Sequence, residues 1–304
     1  MRVLPFQIPK PEKSALIYQV DKANRFYQHL HQHEEIQISM LLSGEGELIV
    51  GDTVNYFKPN DVFIIGSNIP HLFRNTAHEE EEAHMLTLFF TKESFGTGFF
   101  DLPEMQSFLP LLRKIESGLR ISEYQVEIKS LFLQLASQSH FERFMTFLEI
   151  MKLASMSTAQ PLSSFIYKKV YSDDEGVRMS NVMNYAITHF KEPITLKEIS
   201  DLANMTPNAF CRYFKRRTRK TFFQFLLEIR LETAARLLKN QPDLSVVSVS
   251  EASGFTNLSH FNRKFRALKG ATPTQFRRGR LNKHEDLRVK NKYRTRYAMV
   301  NKKP

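Results

Sequence analysis

Residues 199 to 225 and 249 to 276 are two versions of one sequence. Ile199 to Thr206 matches Val249 to Thr256 at an offset of 50 residues. After one inserted residue, Phe210, Arg212, Phe214, Thr221, Gln224 and Phe225 match Phe261, Arg263, Phe265, Thr272, Gln275 and Phe276 at an offset of 51. Each version holds two short helical patterns separated by Asn204–Met205 or Gly254–Phe255, which is a helix-turn-helix layout. In the second helix the aromatics at i and i+4 turn inward. Arg212, at about 200° from Phe210, then faces outward with Asn208, Cys211 and Lys215 nearby. The repeat also overrides a local signal: SVVSVSEASGF (245–255) favours a strand on propensity, but its partner TLKEISDLANM (195–205) is plainly helical.

Helix starts are written in the side chains. Thr195 with Glu198, Thr221 with Gln224 and Thr272 with Gln275 each fit a capping box, and Thr206 and Thr272 are each followed by proline, suited to the first helical position.

Charge divides the chain in the same place. Up to Val177 there are 16 Lys and Arg against 23 Asp and Glu, a net −7; from Arg178 onward there are 27 against 9, a net +18, which together give the overall +11. A basic half joined to an acidic one points to a polyanion partner for the C-terminal part alone.

The rest of the chain reads differently. Residues 16 to 90 hold short β-branched or aromatic segments (QISMLLSG, GELIVGD, DVFIIGS, AHMLTLFF) separated by Gly, Pro, Asn and Asp, the pattern of a small all-β barrel or sandwich. From about Pro103 to Met156 the period turns helical, with Leu109, Leu112 and Ile115 and then Phe144, Leu148 and Met151 at spacings of three and four; these helices are expected to pack on the barrel or pair with a second subunit. At 304 residues and 42% hydrophobic, the chain can bury a core in each of two domains. The single cysteine, Cys211, excludes an intrachain disulfide framework. MRVLPFQIPKPEKS lacks a signal peptide's apolar region, and no apolar run approaches the roughly 20 residues of a membrane helix. A cytoplasmic, nucleoid-associated protein without membrane contact is expected.

The repeat, with ISDLANMTPNAFCRYFKRRT in its first unit and VSEASGFTNLSHFNRKFRALKGATPTQFRR in its second, resembles the AraC/XylS family of bacterial transcription regulators over about residues 180 to 280. The resemblance implies two helix-turn-helix units joined by a long helix, here Phe222 to Lys239 with the apolar stripe Leu227, Leu231, Ala234, Ala235 and Leu238. Both second helices then enter successive major-groove segments of double-stranded DNA. The DNA-contacting set it implies is Thr206, Asn208, Cys211, Arg212, Lys215 and Arg216 in the first unit and Asn257, Ser259, Asn262, Arg263 and Arg266 in the second. Arg suits guanine and Asn suits adenine by paired hydrogen bonds, while Lys215, Arg216 and Arg266 suit phosphates. One departure from the family is Arg219, which stands where the second unit keeps Gly270 and where a left-handed backbone favours glycine.

The N-terminal part carries a second resemblance. His31-x-His33-x3-Gln37-x6-Gly44, Pro59-Asn60-Asp61 and Pro70-His71-x3-Asn75 are similar to the two motifs of the cupin barrel. Metal-dependent cupins use three His and a Glu, and Gln37 stands in place of the Glu. Three readings of His31, His33, Gln37 and His71 stay open: a small-molecule effector pocket, which is favoured, a metal site, or purely structural histidines. The fold expected is a two-domain chain: an all-β cupin-like barrel with flanking helices, then an all-α tandem helix-turn-helix domain. Its parts are a sensing and dimerisation domain (1–155), a linker (156–177), the DNA-binding domain (178–281) and a basic tail (282–304). The function expected is that of a sequence-specific transcription regulator, an activator, responding to a sugar or related metabolite as effector, working as a homodimer with RNA polymerase and using no cofactor. The alternative is a metal-dependent cupin enzyme whose basic domain localises it.

Overall fold

A computed structural model describes residues 14–27, 30–75, 82–163 and 173–279. The basic tail at 282–304 lies outside the described residues. The chain divides into two compact units, one of residues 1–184 with 200–221 and the other of residues 185–199 with 222–304.

The barrel is built from β1 (Ile17–Ala23), β2 (Ile36–Ser43), β3 (Gly46–Val50), β4 (Thr53–Phe57), β5 (Val62–Ile65), β6 (His71–Asn75) and β7 (Ala83–Phe90), completed by β8 (Leu119–Ile121) and β9 (Ala159–Pro161). A six-stranded sheet runs β1-β7-β2-β5-β8-β9 and a three-stranded one β4-β3-β6, and every pairing is antiparallel. β2 is central and buried on both faces, which is why it reads as a nearly continuous apolar run. Its even residues Ile36, Ile38 and Met40 face a core shared with α1 (Leu109–Lys114), α2 (Gln125–Gln134) and α3 (His140–Met156). Its odd residue Leu41 joins Leu48, Phe57, Phe63, Phe73 and Met85 in the core between the sheets. Gln37 and Ser39 share that parity, so the pleat carries two polar side chains into the barrel interior.

The helices expected between Pro103 and Met156 are present and pack on the barrel, with Leu112, Ile115 and Met151 buried. Ser139 opens α3 with a capping box closed by Glu142. β8 interrupts them, a three-residue strand too short to disturb a helical period in the sequence. The stretch expected as a linker, 156–177, contains β9, paired with β8, and the start of α4 (Asp173–His189); 164–172 lies outside the described residues.

Beyond it come α5 (Leu196–Leu202), α6 (Pro207–Thr218), α7 (Phe222–Asn240), α8 (Val246–Ala252), α9 (Leu258–Lys269) and α10 (Pro273–Arg277). The segment with strand propensity is helix α8, as the repeat requires. Thr195 and Glu198 bond reciprocally through each other's backbone N–H, and Thr272 and Gln275 do the same. Between paired helices the same turn is built twice. Asn204 and Gly254 both have positive φ, at 52° and 81°. Met205 N donates to Ser200 O at 2.9 Å and Phe255 N to Ser250 O at 3.0 Å. The second helices end alike: Arg219 (φ 60°) donates its N–H to Lys215 O, and Gly270 (φ 70°) to Arg266 O, each at 2.9 Å. Arg219 therefore takes the left-handed conformation without glycine's help.

Gly254 is the stricter position. A Cβ there would sit 2.7 Å from Phe190 O and 2.8 Å from Lys191 Cα, both backbone atoms, on top of an unfavourable φ. Replacing Gly254 with Ala is expected to cost about 1–3 kcal/mol, read as a lower urea midpoint. Asn204→Gly should be neutral or slightly stabilising. Equal effects at the two positions would contradict the account.

Candidate nucleic-acid interface and barrel pocket

Each recognition face follows from its helix start. Thr206 caps α6 by accepting from Ala209 N at 3.4 Å, with Pro207 next in the helix, and Asn257 caps α9 by accepting from His260 N at 2.8 Å. Phe210 and Phe214, and Phe261 and Phe265, are fully buried. The opposite faces are open: Thr206, Asn208, Cys211, Arg212, Lys215 and Arg216 are exposed on α6, and Asn257, Ser259, Asn262, Arg263 and Arg266 on α9. Thr206 and Asn257 have their side-chain oxygens engaged in capping, so their first role is to set the helix start. Not every cation on α6 is outward: Arg217 is buried, at the position matched by Leu268. One neighbour escaped the sequence reading. His260, in the first turn of α9, packs its ring 6.0 Å from that of Phe255. Partial burial, then the charges of Arg263, Lys264 and Arg230, hold its pKa below the usual 6.5.

In the barrel the four residues of the cupin-like motifs come together. His31 and His71 bridge through their backbones, N to O in both directions at 3.1 and 2.8 Å. Their rings lie 4.3 Å apart, and that of His33 lies 5.0 Å from His71. His31 and His33 precede β2 and are not on one regular strand. Nδ1 of His33 lies 2.9 Å from Glu35 O and Nδ1 of His71 lies 2.7 Å from Ile69 O. Carbonyls only accept, so both Nδ1 atoms carry the proton and both Nε2 atoms are acceptors in the neutral rings. These Nε2 atoms face one end of the Gln37 amide at 3.2 and 3.0 Å, and its other end is 2.8 Å from Ser39 Oγ. The amide that satisfies both rings turns its NH2 to them and accepts the Ser39 hydroxyl. Ser39 lies 3.1 Å from Thr87 Oγ1, its partner across the sheet, which ends the chain of buried polar groups.

Among the described residues, His31, His33 and His71 are the group whose ligating atoms gather closely enough for a metal, within 4.8 Å of one another. The donors would suit zinc or a similar ion, but Gln37 is neutral where a carboxylate would balance the charge, and two of the imidazole acceptors already face its amide. The set fits a neutral hydrogen-bonded floor better than a metal centre.

Above that floor is a cavity of about 270 Å³. His31 and Gln37 line it, while His33 and His71 stand behind them. Its walls add Gln19, Asp21, Arg25, Tyr27 and the apolar Phe26, Phe73, Met85 and Phe89. Burial raises the pKa of Asp21, opposed by a hydrogen bond from Gln19. Gln19 and Asp21 were readable as one face of a strand by their i, i+2 spacing, but nothing in the sequence told which face was inside. Asn75, at the end of β6, holds the loop after β1 by accepting from Phe26 N at 3.0 Å and donating to Asn24 O at 2.6 Å.

Comparison with known proteins matches both parts. A helix-turn-helix domain model matches residues 199–279 and a cupin domain model matches 17–89. The probable transcriptional regulator LumQ of Photobacterium leiognathi is 27% identical over 250 residues, covering 81% of this chain and 90% of LumQ. The transcriptional activator RhaR of Mannheimia succiniciproducens is 24% identical over 258 residues, covering 82% and 86%. Among solved structures, the DNA-binding domain of AdpA in complex with a target DNA is 27% identical, with 34% of this chain and 91% of that one covered and a TM-score of 0.32. The chain is a DNA-binding regulator with a cupin region ahead of an AraC-type reader. Both of these relatives, LumQ and RhaR, each matched over more than four fifths of this chain, are named as transcriptional regulators. No helix among the described residues is long and apolar enough to cross a membrane.

The histidine floor makes the barrel sensitive to acid. Burial first, then the neighbouring His31 and His33, push the His71 pKa well below 6.5, so the unfolded chain takes up a proton that the folded one refuses. Stability then rises with pH up to about 6.5 and is lost below it, by at most about 1.4 kcal/mol per pH unit per histidine. Urea midpoints of the barrel are expected to fall between pH 7 and 5.5, with a flatter dependence in His71→Gln whatever its stability at pH 7. Identical slopes would contradict this.

Proposed function

We propose that the chain controls transcription by reading promoter DNA with α6 and α9 while its barrel cavity binds a small polar effector. The observation that carries this is the repeated turn followed by an exposed polar and cationic helix face in both units. Asn208, Cys211, Arg212, Ser259, Asn262 and Arg263 are the proposed base readers, and Lys215, Arg216 and Arg266 the proposed phosphate contacts. For the effector, the support is the cavity's mixture of amide, carboxyl, imidazole and guanidinium groups with aromatic walls, a lining suited to a sugar or a related metabolite. The domain limits 1–155, 156–177 and 178–281, a cytoplasmic location, action as an activator and contact with RNA polymerase belong to the same proposal.

A homodimer completes it. α3 exposes Phe141, Met145 and Met156 at spacings of four and eleven, which is one stripe, and α2 exposes Val126 and Leu133 seven apart. Phe141 is 71% exposed and Val126 79%, unusual for such side chains without a partner. Sedimentation should show a dimer for the wild type at micromolar concentration and a monomer for Phe141→Glu with Met145→Glu. A monomeric wild type would refute the dimer.

The two kinds of DNA contact separate by substitution. Arg263→Ala should cost about 1–3 kcal/mol and relax preference at one base position. Lys215→Ala should weaken binding to all sequences alike and lower the salt slope by about one unit. Binding of both variants to matched and randomised duplexes at several salt concentrations decides it. A uniform loss from Arg263→Ala together with a changed preferred sequence from Lys215→Ala would reverse the assignment.

A further inference from the structure

Asp52 is a fully buried carboxylate at the tip of the β3–β4 turn, where a hairpin tip would ordinarily be wet. Its oxygens are taken by two groups far along the chain: Ser163 Oγ donates to Oδ1 at 2.9 Å, and Lys220 Nζ lies 3.1 Å from Oδ2. The same ammonium donates to the Asp52 backbone carbonyl at 2.9 Å. Lys220 follows directly on Arg219, the left-handed cap of α6, and its side chain is only 16% exposed. The last turn of the first recognition helix is thus tied to a barrel turn by a desolvated ion pair. Removing one member of a buried ion pair is strongly destabilising, so each charge is held best with the other in place.

The turn that holds Lys220 is itself braced. Gly51 N donates to Pro70 O at 2.8 Å, next to His71, while Thr53 Oγ1 donates to Leu162 O and the Asn55 amide to the same carbonyl at 3.2 Å. A second tie runs from the pocket. Leu30, beside the cavity-lining His31, donates its N–H to Ser180 Oγ of α4 at 3.2 Å, and both residues are buried. The barrel, α4 up to Asn184 and α6 fall in one compact unit.

We propose that this face of the barrel is a docking surface for the first reading unit: Asp52 and Ser163 clamp Lys220 at the end of α6, and Leu30 couples the pocket wall to α4 through Ser180. With Lys220 clamped, Asn208, Arg212 and Lys215 remain exposed, so docking fixes the placement of the first recognition helix without covering its reading face. The regulatory meaning of the clamp rests on the sensor-and-reader reading. Its existence does not, and the test uses neither DNA nor effector.

The measurement is amide hydrogen exchange of the full-length chain. In Lys220→Met, exchange across 207–218 is expected to quicken at least tenfold, with α9 and the central strands β2 and β7 unchanged. Asp52→Asn, which keeps shape and loses charge, should act in the same direction. Combining the two substitutions should speed exchange by less than the product of the single effects, since one ion pair is lost. Ser180→Ala should quicken exchange at Leu30 and in α4. Three results would overturn the proposal: α6 exchange within twofold of wild type in both single variants, effects that multiply in the double variant, or protection lost from β2 and β7 together with α6, which would make Asp52 a core residue of the barrel and not a clamp.

Discussion

A helix-turn-helix can present its second helix only if the chain reverses within a few residues, and that reversal demands a backbone that L-amino acids avoid. Both units meet the demand at the same place, with φ of 52° at Asn204 and 81° at Gly254, and close it with the same hydrogen bond. Left-handed geometry costs a residue other than glycine roughly 1–2 kcal/mol, less for asparagine, whose short polar side chain tolerates it. The second unit uses glycine at both its turn and its cap, and the first unit uses it at neither. Once the reversal is fixed, the caps at Thr206 and Asn257 set where each second helix begins. The i, i+4 phenylalanines then set which face is left for DNA. Everything assigned to base reading depends on that order of events.

The barrel obeys a different constraint. A strand with cores on both sides has no solvent face on which to place polar groups, so each one it carries must find a partner inside. Gln37 and Ser39 on β2 meet this by joining His33, His71 and Thr87 in one hydrogen-bonded chain. Burial of His71, with His31 and His33 beside it, favours its neutral form. The result is a polar floor beneath a partly apolar cavity.

Much of this was legible in the sequence, for physical reasons that differ between the halves. The reader was legible because a repeat compares a segment with itself: Val249 and Val247 taken alone favour a strand, and only the match to Ile199 and its neighbours shows a helix. The cupin motifs brought His31, His33, Gln37 and His71 together correctly in space. What they could not give was depth, because whether a histidine lines a cavity or stands behind it depends on strands that pack from elsewhere in the chain. β8 and β9 were missed for a related reason. Three residues carry no period, and they become strands because β5 offers β8 an edge and β8 in turn offers one to β9. The Asp52–Lys220 pair, 168 residues apart, has no local signature at all.

Both recognition helices are proposed to read one stretch of DNA. Guanine methylation interference with the full-length chain tests it most directly on a site selected from genomic DNA. Two clusters of interfering guanines in the major groove, about 10–10.5 base pairs apart on one face of the duplex, are the expected result for each protomer. A single cluster lost on substituting residues of only one of α6 and α9, or protection confined to the minor groove, would contradict it.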